Sequence, residues 1–158
     1  MSEWEQFGLL LTEESRLLGD LGNAALGLTQ ALVDNDPEAI EAAERRLEAQ
    51  LVLHGSAYGA RTGMQQRGFG KLTLAQVCAY APPSLRRALH ATAQEITVRG
   101  IALKLTVSNN KALILAGMER LARTVAVMQR VGTEQPGTYK RRGTVPPPSG
   151  SVIVSRRA

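Results

Sequence analysis

Apolar side chains recur every three or four residues along the chain, and this spacing predicts long amphipathic helices. The first stripe consists of Trp4, Phe7, Leu11, Leu18, Leu21, Ala25, Leu28 and Leu32, with one interruption at Glu14. A second long stripe consists of Leu85, Leu89, Thr92, Ile96, Leu103, Val107, Asn110, Ile114, Met118, Leu121, Val125 and Met128. Narrow stripes with this 3–4 spacing are typical of coiled-coil seams.

Capping residues and prolines between the periodic stretches indicate where the helices begin and end. Asp36 is placed to cap a helix that starts at Pro37, since Asp favours the N-cap and Pro the first turn. Thr73 and Ser84 are expected to cap the next two helices, with Pro82-Pro83 between them. We therefore expect helices at about 3–33, 37–67, 73–81 and 84–131. The short break near Asp36 favours an antiparallel first pair.

Three glycines repeat every four residues in the second helix, at Gly55, Gly59 and Gly63. One interpretation is the close approach of another backbone. The interpretation that we favour is a weak helix that bends or frays at this point, because glycine lowers helix stability.

The periodicity stops at residue 132, and the remainder is rich in Gly and Pro, including three prolines at 146–148. Such a composition favours an extended, flexible segment. We expect an all-α helical domain at 1–131 and a flexible basic tail at 132–158. The third main helix, at 84–131, would be roughly 70 Å long at 1.5 Å per residue. This length is too great for a compact core. The predicted architecture is therefore an elongated antiparallel bundle or coiled coil of three main helices.

Composition narrows the class of protein. The 158 residues are 44% hydrophobic but only 4% aromatic, which suits helix packing better than a β-sandwich. The single Cys78 excludes an intramolecular disulfide framework and a thiolate zinc cluster. No apolar run approaches the roughly 18–20 residues that cross a bilayer, so we expect no stable membrane insertion. The acidic start MSEWEQF is unlike a secretory signal, which favours the cytoplasm.

The net charge of +5 is unevenly distributed. Residues 1–60 have a net charge of −8, residues 61–131 of +9 and residues 132–158 of +4. An acidic part followed by a basic part favours packing of the two against each other. The net charge of +5 is therefore weak support for a nucleic-acid partner.

No constellation of residues predicts catalysis. His54 and His90 are far apart and have no carboxylate at metal-ligand spacing, and Cys78 between Val77 and Ala79 is expected to be a core residue. No phosphate-binding loop is present either. We expect a protein that is not an enzyme and that has no cofactor and no metal.

The evidence for a protein-binding function is stronger, and it lies in the second half of the third main helix, at 84–131. Its stripe combines Ile114, Leu121 and Val125 with Met118 and Met128. Adaptable Met side chains on an amphipathic helix suit the capture of another helix. The alternative is that the stripe pairs with the first helix or with a second copy of the chain. Asn110 in the seam either fixes the helix register or contacts a ligand backbone.

Three segments of the sequence are distinctive: Ser108–Leu121 (SNNKALILAGMERL), Gly137-Thr138-Tyr139 and the terminal Ser155-Arg156-Arg157-Ala158. Together they resemble the C-terminal half of the FlgN family of flagellar secretion chaperones. The order of a long helix, an Asp-containing break, a second helix, a short helix and a long third helix also agrees. Lys140-Arg141-Arg142 after Tyr139 departs from the family pattern, in which Gly or an acidic residue is common there.

The resemblance implies a cytoplasmic chaperone for the C-terminal helices of hook-associated proteins, which join hook and filament. Such a chaperone prevents early assembly of these clients and delivers them to the flagellar type III export gate. The apolar stripe would bury a client helix; the expected client-binding residues are Asn110, Ile114, Met118, Leu121, Val125 and Met128. The tail residues Tyr139, Lys140, Arg141 and Arg142 would contact the export gate. The alternative for this tail is a solubilising segment with an incidental tyrosine.

Two other functions stay open on the sequence alone. A basic-tailed binder of nucleic acid or of an anionic surface would use Lys140, Arg141, Arg142, Arg156 and Arg157, but only Tyr139 is interleaved with them. A coiled-coil adaptor would only dimerise, and the sequence leaves open whether the chain is a monomer or a homodimer.

Overall fold

The computed structural model describes residues 2–133, with side chains through Val131; residues 1 and 134–158 lie outside the described part. Four helices are present: α1 (Glu3–Asp34), α2 (Pro37–Phe69), α3 (Leu74–Tyr80) and α4 (Pro83–Thr133). They account for 93% of the described residues, among which there is no strand. The all-α class is thus confirmed, and the helix bounds differ from the expected ones by one or two residues.

Three of the helices begin at side-chain caps. The Ser2 hydroxyl accepts a hydrogen bond from the Glu5 N–H and the Glu5 carboxylate accepts one from the Ser2 N–H, which forms a capping box. Asp36 caps α2 by accepting from the N–H groups of Glu38 and Ala39, as its sequence position predicts. Thr73 caps α3 in a capping box with Gln76. These caps satisfy donors that have no partner in the first helical turn.

The start of α4 differs from the prediction. The sequence predicts Ser84 as the cap of this helix, but the helix already includes Pro83. The N–H groups of Leu85 and Arg86 both donate to the Pro82 carbonyl at 2.9 Å. Pro83 therefore occupies the first helical position, where its missing N–H costs nothing, and Ser84 lies inside the helix.

The hairpin between α1 and α2 turns on Asn35, which has a left-handed backbone (φ 53°) and closes the end of α1. Gly68 of α2 lies next to Glu3, and Arg61 of α2 lies next to Glu14. Residue numbers thus rise on one helix as they fall on the other. The two helices are antiparallel, as the short break predicts.

A second face of α1, different from the one that contacts α2, packs against α4. The helices α1 and α4 run in the same direction. A Cβ atom added at Gly8 would lie 3.4 Å from Leu89. Further along, Arg99 donates from Nη1 to the carbonyl of Ser15. Asn110 reaches the carbonyl of Ala25. Residue numbers therefore rise together on α1 and α4, and α1 is covered from two sides.

The main apolar core lies at the end of the packing where α3 connects α2 to α4. Its buried members come from all four helices and from the α3–α4 connection: Phe7, Leu11, Met64, Val77, Cys78, Ala81 and Leu89. Phe69 contacts both Trp4 and Phe7, with ring centroids 4.6 and 5.4 Å apart. Cys78 is a buried core residue, as its apolar neighbours in the sequence predict.

The glycine stripe of α2 shows neither fraying nor the close approach of another backbone. α2 is one helix from Pro37 to Phe69 with no fraying at the glycines. A Cβ atom at Gly55 or Gly59 would meet no described atom within 4 Å, so no other backbone approaches there. Gly63 lies beside the Arg67 side chain of the same helix. Next to Gly63, the buried side chains of Arg61 and Met64 pack α2 against α1, which offsets the low helix propensity of glycine.

The chain divides into two compact units, Met1–Met118 and Glu119–Ala158, with the division inside α4. The first contains α1, α2, α3 and α4 as far as Met118. The described part of the second is the remainder of α4, in which every side chain from Glu119 to Val131 is exposed. None of the described helices combines the length and the hydropathy that a membrane span requires.

Candidate protein-binding surfaces

An apolar groove of about 280 Å³ opens between α2 and α4 in the first unit. The buried Leu28 of α1 lies at its base, and Leu47 of α2 lines one side. Val107 and Ile114 of α4 line the other side. Asn110, Lys111 and Leu115 complete the lining. Two residues predicted to bind a client, Asn110 and Ile114, thus belong to one groove.

Asn110 lies at the contact between α4 and α1, and 5% of its surface is exposed. Its Nδ2 donates to the Ala25 carbonyl at 3.0 Å, and its Oδ1 accepts from the Thr29 hydroxyl at 2.7 Å. Both ends of the amide are therefore held by α1. This arrangement favours the first of the two interpretations of Asn110, a residue that fixes helix register.

The other apolar residues of the stripe face solvent. In the first unit Ile114 is 41% exposed and Met118 63% exposed. In the second unit Leu121, Val125 and Met128 are 65%, 42% and 67% exposed. Every described side chain from Ile114 to Val131 is exposed. Within each unit, the described residues leave their own part of the stripe exposed.

A buried polar network lies in the first unit, where Glu14 interrupts the apolar stripe of α1, and the sequence pattern did not predict it. The Arg61 side chain donates from Nε and Nη2 to the Glu14 carboxylate, at 2.6 and 3.0 Å. Its Nη1 donates to Gln65 Oε1 at 2.7 Å, and Gln65 Nε2 donates to the Leu72 carbonyl at 2.6 Å. Arg61 also lies over the Tyr58 ring, 5.1 Å from its centroid. The network ties α1, α2 and the connection to α3 together.

The remaining candidates for chemistry are dispersed. His54 stacks on Tyr58 with ring centroids 6.3 Å apart. Burial raises the pKa of the Cys78 thiol, and the nearby Arg61 guanidinium lowers it in part. On the surface, the Arg16 guanidinium lowers the pKa of Glu13. Within residues 2–131, no three His, Cys, Asp or Glu side chains are grouped so that they could hold a metal ion.

The predicted gate-contact residues Tyr139, Lys140, Arg141 and Arg142 lie outside the described residues. Comparison of the chain with protein-family models, with curated proteins and with solved structures finds no match. The function is therefore inferred from the surfaces of the chain itself.

Proposed function

We propose that this chain is a cytoplasmic flagellar export chaperone that binds the C-terminal helices of hook-associated proteins. It keeps these clients from assembling early and brings them to the flagellar type III export gate. The chain is not an enzyme in this proposal and requires no cofactor.

The exposed apolar stripe of α4 is the observation that supports this function most directly. Ile114, Met118, Leu121, Val125 and Met128 follow a 3–4 spacing, and each is more than two-fifths exposed. An apolar helix face of this kind is unfavourable in water unless a partner covers it. An amphipathic partner helix matches its periodicity, and the two methionines can adapt to partners of different shape.

The proposal includes an architecture for the helical domain. The three long helices would form an antiparallel bundle with coiled-coil packing, in which α1 and α4 point one way and α2 the other. Support comes from successive contacts along α1, in which the residue numbers of its partners fall on α2 and rise on α4. A buried Asn in the α1–α4 contact is a device that coiled coils use to set register.

The tail has a separate role in the proposal. Tyr139 and the adjacent Lys140, Arg141 and Arg142 would tether the loaded chaperone to the export machinery. A tyrosine suits this task because it buries a large apolar area and keeps a polar tip.

A pull-down with C-terminal peptides of hook-associated proteins tests client binding. The doubly substituted variant Leu121→Asp with Val125→Asp should lose capture, since two charges would enter the apolar contact. A matched control is Val98→Asp with Ile101→Asp, two apolar α4 residues that are 66% and 59% exposed. The control should retain capture. Unchanged capture by the Leu121/Val125 variant would show that the stripe does not bind the client.

A second experiment separates the tail from the stripe. Tyr139→Ala should reduce export and gate binding while client capture stays at the wild-type level. An equal loss of both would contradict the division of labour between the tail and α4.

The two alternatives predict different measurements. A nucleic-acid binder would bind DNA or RNA with an affinity that falls steeply with salt. A coiled-coil adaptor would sediment as a dimer whether or not a client peptide is present. A chaperone should instead form a complex that contains the client.

A further inference from the structure

The groove between α2 and α4 has side walls of opposite charge. On α2, Glu44 precedes the lining residue Leu47 by three positions and Glu48 follows it by one, and both glutamates are exposed. On α4, Lys111 lines the groove, and Lys104 lies seven residues earlier on the same side of the helix. One wall is thus acidic and the other basic.

These four charges do not neutralise each other across the groove. Among the described residues no ion pair joins Glu44 or Glu48 to Lys104 or Lys111. By contrast, Glu41 on the neighbouring turn of α2 pairs with Arg45 at 2.5 Å. Between the two charged walls lie the apolar side chains of Leu28, Leu47, Val107 and Ile114. The arrangement offers an apolar base with an unpaired acidic edge and an unpaired basic edge.

We propose that this groove holds a client helix that carries basic residues along one edge of its apolar stripe and acidic residues along the other. The basic edge lies beside Glu44 and Glu48, and the acidic edge beside Lys104 and Lys111. Reversing the direction of a helix in a groove exchanges its two edges, so the charges also select one direction of the bound helix. This inference rests on the proposed chaperone function and specifies its client.

Charge argues against α4 of a second copy as the occupant. From Ile96 to Val131, Glu119 is the only acidic residue. It is paired with Arg123 of its own helix at 3.7 Å. A second α4 would therefore offer arginines to the acidic wall but no acidic edge to Lys104 and Lys111.

Designed peptides test the proposal directly. One fluorescent helical peptide has a Leu stripe in 3–4 spacing with Lys along one edge and Glu along the other. A second has the same composition, with Lys and Glu alternating along both edges. Fluorescence anisotropy with the full-length chain should give a Kd at least about tenfold lower for the first peptide. Equal Kd values would overturn the proposal.

Charge reversal on the protein provides the matched control. Glu44→Lys with Glu48→Lys should weaken binding of the first peptide at least about tenfold, because both walls become basic. Adding Lys104→Glu and Lys111→Glu restores the wild-type net charge and makes the walls opposite again. This fourfold variant should recover binding, and circular dichroism should show wild-type helicity in both variants. A fourfold variant that stays as weak as the double variant would contradict the role of the walls.

The outcomes distinguish this inference from the chaperone function. Capture of hook-associated peptides that depends on Leu121 and Val125 but is unaffected by wall reversal would overturn the groove proposal alone. Sedimentation that shows a dimer abolished by wall reversal would identify a second copy as the occupant and would also overturn it. Failure to bind any hook-associated peptide, with tight binding of the designed peptide, would reject the flagellar client and retain the groove.

Discussion

The Arg61 guanidinium donates two hydrogen bonds to the Glu14 carboxylate across the α1–α2 contact, and both side chains are more than nine-tenths buried. Each charge has left water and is compensated mainly by the other. A buried ion pair of this kind adds little net stability relative to a well-packed apolar pair, but the loss of one partner leaves an uncompensated buried charge.

Single substitutions of this pair should therefore be costly and the double substitution mild. We expect Glu14→Leu or Arg61→Met to lower the free energy of unfolding by about 3–5 kcal/mol. The double variant should recover most of this loss, although Gln65 still loses its contact with Arg61. Urea denaturation followed by circular dichroism measures all three variants. A double variant whose loss equals the sum of the two single losses would show that the charges act independently.

The ion pair also shows which features of the fold the sequence pattern can predict and which it cannot. Periodicity predicts α1 because its apolar positions recur at helical spacing, and Glu14 stood out as the interruption of that stripe. Its partner could not be identified, since Arg61 is 47 residues away in a part of α2 with no clear apolar period. Pairing of the two depends on the register of the hairpin, which Asn35 and Asp36 set together with the packing of both helices.

The two candidate binding surfaces, the α4 stripe and the α2–α4 groove, also differ in whether the sequence could predict them. The stripe from Ile114 to Met128 could be predicted as one apolar face, because its spacing places these positions on the same side of a helix, but its exposure follows only from the structure. The groove could not, since it requires Leu28 and Leu47 to meet α4 from two other helices. Spacing placed Asn110 in the seam, but its partners Ala25 and Thr29 follow only from the parallel packing of α1 and α4.

Asn110 should contribute measurably to stability. Asn110→Ala removes two hydrogen bonds to α1 in a buried contact, and we expect a loss of about 1–3 kcal/mol in the free energy of unfolding. Asn109→Ala is the matched control, because Asn109 is exposed and its replacement should change stability by less than about 0.5 kcal/mol. Equal urea midpoints for the two variants would show that the bonds to α1 do not stabilise the fold.

Glycine-to-alanine substitutions should separate helix propensity from packing on α1 and α2. At Gly22, Gly27, Gly55 and Gly59 a Cβ atom meets no described atom within 4 Å. Alanine at each should raise the free energy of unfolding by about 0.5–1 kcal/mol, since it restricts the unfolded backbone.

Gly19 provides the contrasting case. A Cβ atom there would lie 3.0 Å from Arg99 Nη1, the atom that donates to the Ser15 carbonyl. We expect Gly19→Ala to lack the gain in stability that we expect for Gly22→Ala, because the Arg99 guanidinium must move away from its acceptor. Chemical denaturation of the two variants side by side measures the difference. Equal stabilisation at both positions would indicate that Arg99 adjusts at no cost.

The buried Cys78 thiol should make stability decline at alkaline pH. Burial raises the pKa of this thiol in the folded chain, whereas an unfolded cysteine thiol has a pKa of about 8.5. Above that pH the unfolded state has lost a proton that the folded state still binds, so the free energy of unfolding falls as pH rises toward the folded pKa. Urea denaturation at pH values below and above this range should show the fall for the wild type and a smaller one for Cys78→Ala. Identical pH slopes for the two proteins would contradict this role of burial.

A thiol-reactive probe at neutral pH provides a second test of the burial of Cys78. It should label the thiol only as fast as the core opens, because no solvent reaches the side chain. Rapid labelling of the folded chain would contradict this burial.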